Sequence, residues 1–113
     1  MSVRISSLKK NEDFKSLLGG RKINNKYLTI FFKKLSNKNK KQLNISFVTK
    51  KKIGNAVKRN KIKRRLKNMV LDICKNINLN LSYSYLLIAK NKILEEEFNI
   101  IKETLFNDLK KVK

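Results

Sequence analysis

Residues 50–67 read KKKIGNAVKRNKIKRRLK, and the architecture of the chain can be worked out from this segment. Gly54 and Asn55 are typical of a helix start and predict a helix of roughly 20 residues. Ten of the eighteen residues are Lys or Arg, and none is acidic. The segment therefore predicts a helix that is cationic over much of its surface and held to the core by one apolar stripe. That stripe consists of Ile62, Leu66, Met69, Val70 and Ile73.

Three strands are predicted around this helix. Leu43–Thr49 alternates between the two faces of a strand, and Tyr27–Phe32 (YLTIFF) is apolar on both faces. A basic loop separates these two segments, which together predict an antiparallel hairpin. After the helix, Tyr83–Ala89 (YSYLLIA) is a nearly continuous apolar run, as is typical of a strand buried on both faces.

Two further helices complete the predicted elements. Asn11 is predicted to cap a short helix that ends at the glycine pair 19–20. The last helix is predicted from about Leu94 to Val112, with Glu95–Glu97 in its first turn. The order helix, strand, strand, helix, strand, helix predicts an α/β sandwich, with one sheet and helices against it. A length of 113 residues fits a single domain over residues 1–113.

The charge of the chain predicts a polyanionic partner. The sequence has 29 Lys and Arg against 8 Asp and Glu, a formal net charge of +21. From Phe14 to Leu71 there are 19 cationic residues and no acidic one. Surfaces that only serve solubility mix both signs, and a biased composition does not explain the missing carboxylates. The distribution therefore favours nucleic acid as the partner.

The residue types argue against catalysis or metal binding by the protein itself. The chain has no His, so the commonest general acid/base and metal ligand is missing. Glu95–Glu97 is the only carboxylate cluster, and consecutive helical residues splay apart. The single cysteine, Cys74, favours a cytoplasmic location and a buried thiol. No signal-peptide core and no apolar run of the ~20 residues needed to span a bilayer are present, so no membrane association is expected.

The predicted RNA-binding residues lie in and just before the basic helix. Arginine can engage a phosphate through two hydrogen bonds, lysine acts as a point charge, and an asparagine amide suits a base edge or a ribose hydroxyl. Lysines before the helix would help its first N–H groups to hold a phosphate. The set comprises Lys51, Lys52, Asn55, Lys58, Arg59, Asn60, Lys61, Lys63, Arg64, Arg65 and Lys67.

The same segment resembles a known family. IGNAVKRNKIKRRLK (53–67) is similar to the arginine-rich RNR signature of the bacterial ribonuclease P protein subunit, with Arg59-Asn60-Lys61 at its core. The resemblance covers nearly the whole chain in the right order. The flanking segments that resemble the family are Ser7–Leu18, Phe47–Asn55 and Tyr85–Lys90.

The resemblance implies a fold and a division of labour. The implied fold has a four-stranded mixed sheet, the element order α-β-β-(β)-α-β-α and a left-handed βαβ crossover. The basic helix would bind the catalytic RNA subunit, and a cleft between the first helix and the sheet would bind the single-stranded 5′ leader of precursor tRNA. Removal of the leader would then be catalysed by the RNA with Mg²⁺ bound through it, with one protein per RNA.

Residues of the leader-binding cleft are carried over from the family by position. The family often has an aromatic residue where this chain has Leu18, and a small polar residue where it has Lys50. Aromatic rings stack on any base, which suits leaders that differ between tRNAs. The implied cleft residues are Phe14, Leu18, Ile30, Phe32, Val48 and Lys50.

Two other functions are compatible with parts of the sequence. A structural RNA-binding protein of the ribosomal type would use the same βαβ layout and basic surfaces, and only the RNR-like segment separates it from the family above. A DNA-binding regulator with a helix-turn-helix needs two short helices joined by a tight turn. Here a strand precedes the basic helix, which argues against the regulator.

Overall fold

The computed structural model describes residues 4–8, 10–35 and 41–112. Short 3-10 helices at Lys51–Ile53 and Asn91–Leu94 supplement the main elements. In chain order, the strands and α-helices are β1 (Ile5–Ser6), α1 (Asn11–Leu18), β2 (Arg21–Asn24), β3 (Leu28–Lys34), β4 (Leu43–Thr49), α2 (Ala56–Cys74), β5 (Tyr83–Ala89) and α3 (Phe98–Leu109).

The five strands form one mixed sheet in the order β1-β4-β5-β3-β2. Strand β5 lies in the centre, parallel to β4 and antiparallel to β3. The predicted hairpin between β3 and β4 is therefore wrong, and β3 forms its hairpin with β2 instead. The physical reason is the composition of β5: a strand apolar on both faces is favoured in the centre of a sheet, where helices cover it from both sides. The two short strands β1 and β2 were not predicted from the sequence.

The larger core lies between the sheet and helices α2 and α3. Every residue of the predicted α2 stripe is buried, and so are Leu28, Ile30 and Phe32 of β3. Helix α2 has 19 residues and starts after Asn55, so its predicted extent is confirmed. This core anchors α2 by one side and leaves its other sides at the surface.

A smaller core lies on the opposite face of the sheet, under α1. Leu17 of α1 is fully buried against Leu86 of β5 and Leu8 of the N-terminal segment. Partly buried side chains surround this cluster and line the edge of the contact between α1 and the sheet. They include Phe14, Phe31, Val48 and Ile88.

Two helix starts differ from the predictions. The N-cap of α1 is Lys10 rather than Asn11, and its side chain makes no capping hydrogen bond. Helix α3 begins at Phe98, so Glu95–Glu97 precede the helix rather than form its first turn. The residues before it form a 3-10 helix that buries Ile93 and leaves Leu94 about half exposed, at 49%. Because the 3-10 helix has a tighter turn, it shifts the buried side by one residue.

Asn25 ties the β2–β3 turn to α3. Its Oδ1 accepts hydrogen bonds from the backbone N–H groups of Tyr27 (2.8 Å) and Leu28 (2.9 Å). Its Nδ2 donates to Oδ2 of the buried Asp108 at 2.7 Å. Replacement by alanine would leave the Asp108 carboxylate and two backbone donors without these partners.

We expect Asn25→Ala to lower the free energy of unfolding by about 2–3 kcal/mol, measured by urea denaturation. Asn107→Ala is the matched control, because Asn107 is exposed on the same helix as Asp108. The control should change stability by less than about 0.5 kcal/mol. Equal effects of the two substitutions would contradict a structural role for the Asn25 network.

Candidate nucleic-acid interface

The start of α2 is built by the residues just before it. Asn55 is the N-cap, and its Oδ1 accepts a hydrogen bond from the backbone N–H of Lys58 at 2.9 Å. Gly54 is extended, and a Cβ at this position would lie 3.0 Å from the Lys58 side chain. Asn55 therefore caps the helix, and its Oδ1, which the sequence predicted to contact RNA, is already used as the capping acceptor.

The structure places the predicted RNA-binding residues on the surface of α2 and of the 3-10 helix before it. All of them are exposed except Arg59, which is half-buried. The Nε of Arg59 is buried and has no hydrogen-bond partner among the described residues. The exposed members are Lys51, Lys52, Asn55, Lys58, Asn60, Lys61, Lys63, Arg64, Arg65 and Lys67.

A groove of about 460 Å³ joins the basic helix to the α1 side of the sheet. One wall carries three cations of α2, and the other carries Phe14 and Val48 from the predicted cleft. The structure therefore brings together two groups that the sequence assigned to different RNAs. The full lining is Ser7, Phe14, Ser46, Phe47, Val48, Lys63, Arg64 and Lys67.

Two predicted cleft residues lie on the wrong face of the sheet. Ile30 and Phe32 are 0% and 2% exposed, and both belong to the larger core under α2 and α3. Because side chains alternate along a strand, a register error of one residue exchanges the faces. Thr29 and Phe31 occupy the α1 side instead. YLTIFF is apolar on both faces, so its alternation alone does not reveal which face meets α1.

The other cleft residues are exposed or half-buried. Leu18, at the end of α1, is 52% exposed, and Phe14 and Val48 are half-buried. Lys50, just beyond β4, is exposed. These four residues are therefore accessible, as a binding role requires.

A second pocket, of about 520 Å³, lies where β4 and β5 end. It gathers five lysines from three separate segments of the chain, and no acidic residue lines it. One of them, Lys90, donates from its Nζ to the backbone oxygen of Asn25 at 2.8 Å. Sequence reasoning missed Lys26, Lys90 and Lys92 because only the sheet brings them beside Lys50 and Lys52. The pocket also includes Thr29, Ile88, Ala89 and Asn91.

Cys74 ends α2 and is half-buried as a free thiol. Its burial raises the pKa of the thiol, which disfavours the reactive thiolate. Over residues 4–8, 10–35 and 41–112, no three Cys, Asp or Glu side chains gather into a group that could hold a metal ion. Within the same ranges, each helix is too short or too polar to cross a bilayer.

Comparisons with known proteins agree on one family. The family model for ribonuclease P matches residues 3–113. The ribonuclease P protein component of Carboxydothermus hydrogenoformans is 32% identical over 108 residues, covering 94% of this chain and 90% of that protein. The corresponding component of Fusobacterium nucleatum is 33% identical over 111 residues, covering 96% of this chain and 94% of that protein.

Solved structures show the same fold. The RNase P protein of Thermotoga maritima superposes with a TM-score of 0.75 at 24% identity, covering 96% of this chain and 98% of that chain. The RNase P protein of Staphylococcus aureus superposes with a TM-score of 0.71 at 28% identity, covering 92% of both chains. A match over almost the whole length, at the level of both sequence and fold, leads to one conclusion. The chain belongs to the bacterial ribonuclease P protein family.

Proposed function

We propose that this chain binds the ribonuclease P RNA through α2 and the 5′ leader of precursor tRNA through the cleft between α1 and the sheet. The ribonuclease P protein component is part of an endoribonuclease complex, and its partner is the RNA of that enzyme. The finer assignment of each surface to one RNA rests on charge, exposure and shape. The complex acts in the cytoplasm with one protein per RNA.

The observation that carries the proposal is the groove shared by α1, β4 and α2. Cations of α2 on one wall attract phosphates, and the half-buried ring of Phe14 on the other wall offers a stacking surface. A single-stranded RNA can use both walls at once, whereas a rigid duplex would contact only the exposed ridge of α2. The groove is therefore where the leader and the RNA subunit come closest on the protein.

The cleft proposed here uses the corrected face of β3. Phe31 replaces Phe32, and Thr29 replaces Ile30, beside Phe14, Val48 and Ile88. The lysine pocket at the ends of β4 and β5 adjoins this face through Thr29 and Ile88. Its lysines beyond β4 and β5 hold leader phosphates in any sequence context, because backbone contacts carry no base information.

The RNA subunit and its bound Mg²⁺ carry out phosphodiester cleavage in this proposal. The protein lacks histidine, and its contribution is affinity for the substrate and screening of the repulsion between two RNAs. The resulting gain should be largest at low Mg²⁺, where fewer divalent ions screen the phosphates.

Reconstitution with a bacterial ribonuclease P RNA at low Mg²⁺ tests the function. The protein should stimulate 5′ maturation of a precursor tRNA. Phe14→Ala should weaken binding of the precursor by about 5- to 150-fold, because base stacking contributes ~1–3 kcal/mol. Affinity for mature tRNA, which has no leader, and for the RNA subunit should stay unchanged in binding assays.

Phe98→Ala is the matched control, because Phe98 is also half-buried but packs against the larger core on the other face. It should leave leader-dependent binding intact once circular dichroism shows that both variants are folded. No stimulation of maturation by the wild-type protein would contradict the function. Equal effects of the two phenylalanine variants would contradict the position of the cleft.

A further inference from the structure

One row of register partners crosses the cleft face of the sheet from β4 to β2. Val48 is paired with Ile88, Ile88 with Thr29, and Thr29 with Asn24. The row begins at the groove beside α2, which Val48 lines, and it passes the lysine pocket, which Ile88 and Thr29 line. It ends at β2, which is the edge strand on the far side of β3.

Two lysines lie on either side of Asn24 along the chain, and we call Lys22 and Lys26 the β2-edge lysines. Lys22 is paired with Phe31, so it lies on the cleft face. Lys26 lies in the β2–β3 turn and lines the lysine pocket. Both are exposed, and neither forms an ion pair within the described part of the chain. The edge therefore presents two available positive charges where the cleft ends.

The length of the row sets how much RNA it accommodates. Three spacings between neighbouring strands amount to ~14 Å. A stacked strand rises about 3.4 Å along its axis per nucleotide, so the row spans about four stacked nucleotides and fewer of an extended strand. A leader longer than this must leave the cleft at an edge of the sheet. In the proposed function, RNA already occupies the end of the row beside α2, which leaves the β2 edge as the exit.

We propose that the β2-edge lysines bind the phosphate backbone of the upstream leader, the nucleotides farther from the cleavage site than those in the cleft. This inference rests on the proposed function and adds the direction in which the leader crosses the sheet. Neither lysine reads a base, since an ammonium group meets phosphate as a point charge. At this edge, the affinity for the precursor therefore depends on leader length rather than on leader sequence.

The test compares two precursors, with leaders of about three and about ten nucleotides, that are otherwise identical. In the reconstituted enzyme, the double variant Lys22→Ala/Lys26→Ala should bind the long-leader precursor about tenfold more weakly. The log–log salt slope for this precursor should fall by roughly 1.4, at about 0.7 per lost contact with a single strand. Binding of the short-leader precursor and of the RNA subunit should not change.

The double variant Arg21→Ala/Lys34→Ala is the matched control. It removes the same charge from the same β2–β3 hairpin, but on the other face of the sheet. There the Arg21 guanidinium carbon lies 5.0 Å from the centre of the Phe32 ring, and Lys34 Nζ lies 5.7 Å from that of Tyr83. This control should bind both precursors like the wild-type protein.

Three results would overturn the inference: unchanged long-leader binding in the β2-edge variant, equal losses for both leader lengths, or a loss of affinity for the RNA subunit. A loss in the control as large as in the β2-edge variant would also overturn it, since only total charge would then matter. Failure of the proposed function can be told apart from failure of this inference. If the cleft did not bind the leader, Phe14→Ala would leave binding of both the long-leader and the short-leader precursor unchanged.

Discussion

Replacing Lys58, Lys61 and Arg65 together by alanine is expected to weaken binding of the RNA subunit on the order of a hundredfold at 0.15 M salt. All three side chains are exposed on α2, and they lie outside the groove that the helix shares with α1. Each phosphate contact with a duplex contributes about 0.9 to the log–log salt slope, so the slope should fall by about 2.7. Binding isotherms between about 0.05 and 0.2 M salt measure both quantities.

A variant with Lys75, Lys110 and Lys111 replaced by alanine tests whether position or total charge matters. These three lysines are exposed and lie after α2 or at the end of α3, and two of them are paired with Asp72 and Asp108. The control loses the same charge and should keep both affinity and slope. Equal weakening of the two triple variants would mean that α2 is not the contact surface.

Leu66→Ala is expected to lower the free energy of unfolding by about 2–5 kcal/mol. Leu66 is 0% exposed in the middle of the stripe that holds α2 to the sheet. Small domains are stable by only about 5–15 kcal/mol, and repulsion among the cations reduces this margin further. Urea denaturation should therefore show a much lower midpoint, and RNA should partly restore the fold because it binds only the native state.

Val57→Ala is the control for this loss, because Val57 lies on the same helix but is 76% exposed. Its replacement should change stability by less than about 0.5 kcal/mol. Similar losses in the two variants would contradict the one-sided anchoring of α2. That anchoring is what keeps the cations of the helix in a fixed array on the surface.

Family membership also decides between the functions that the sequence left open. The match over residues 3–113 supports the ribonuclease P component over a ribosomal-type protein. A helix-turn-helix regulator is not supported either, because α2 follows strand β4 through a 3-10 helix. In the sequence, the RNR-like segment was the feature that separated the ribonuclease P component from a ribosomal-type protein, whereas the strand before α2 argued against the regulator.

The sequence by itself determined the extent of α2, its buried stripe, strands β4 and β5, and the cationic surface. Each of these depends on residues close together in the chain, whose periodicity and charge indicate which side is buried and which is exposed. The α1 and α3 starts were misplaced by one to four residues, since helix ends depend on local capping and on 3-10 turns rather than on periodicity.

Only the tertiary structure decided which strands pair, which face of β3 meets α1, and which lysines converge. The insertion of β5 between β4 and β3 joins residues about 40 positions apart, such as Ser46 and Leu86. In the resulting sheet, Ile30 and Phe32 face the larger core, and Lys26, Lys50 and Lys90 line one pocket. Strand order minimises exposed apolar surface over the whole domain, and no single segment contains that information.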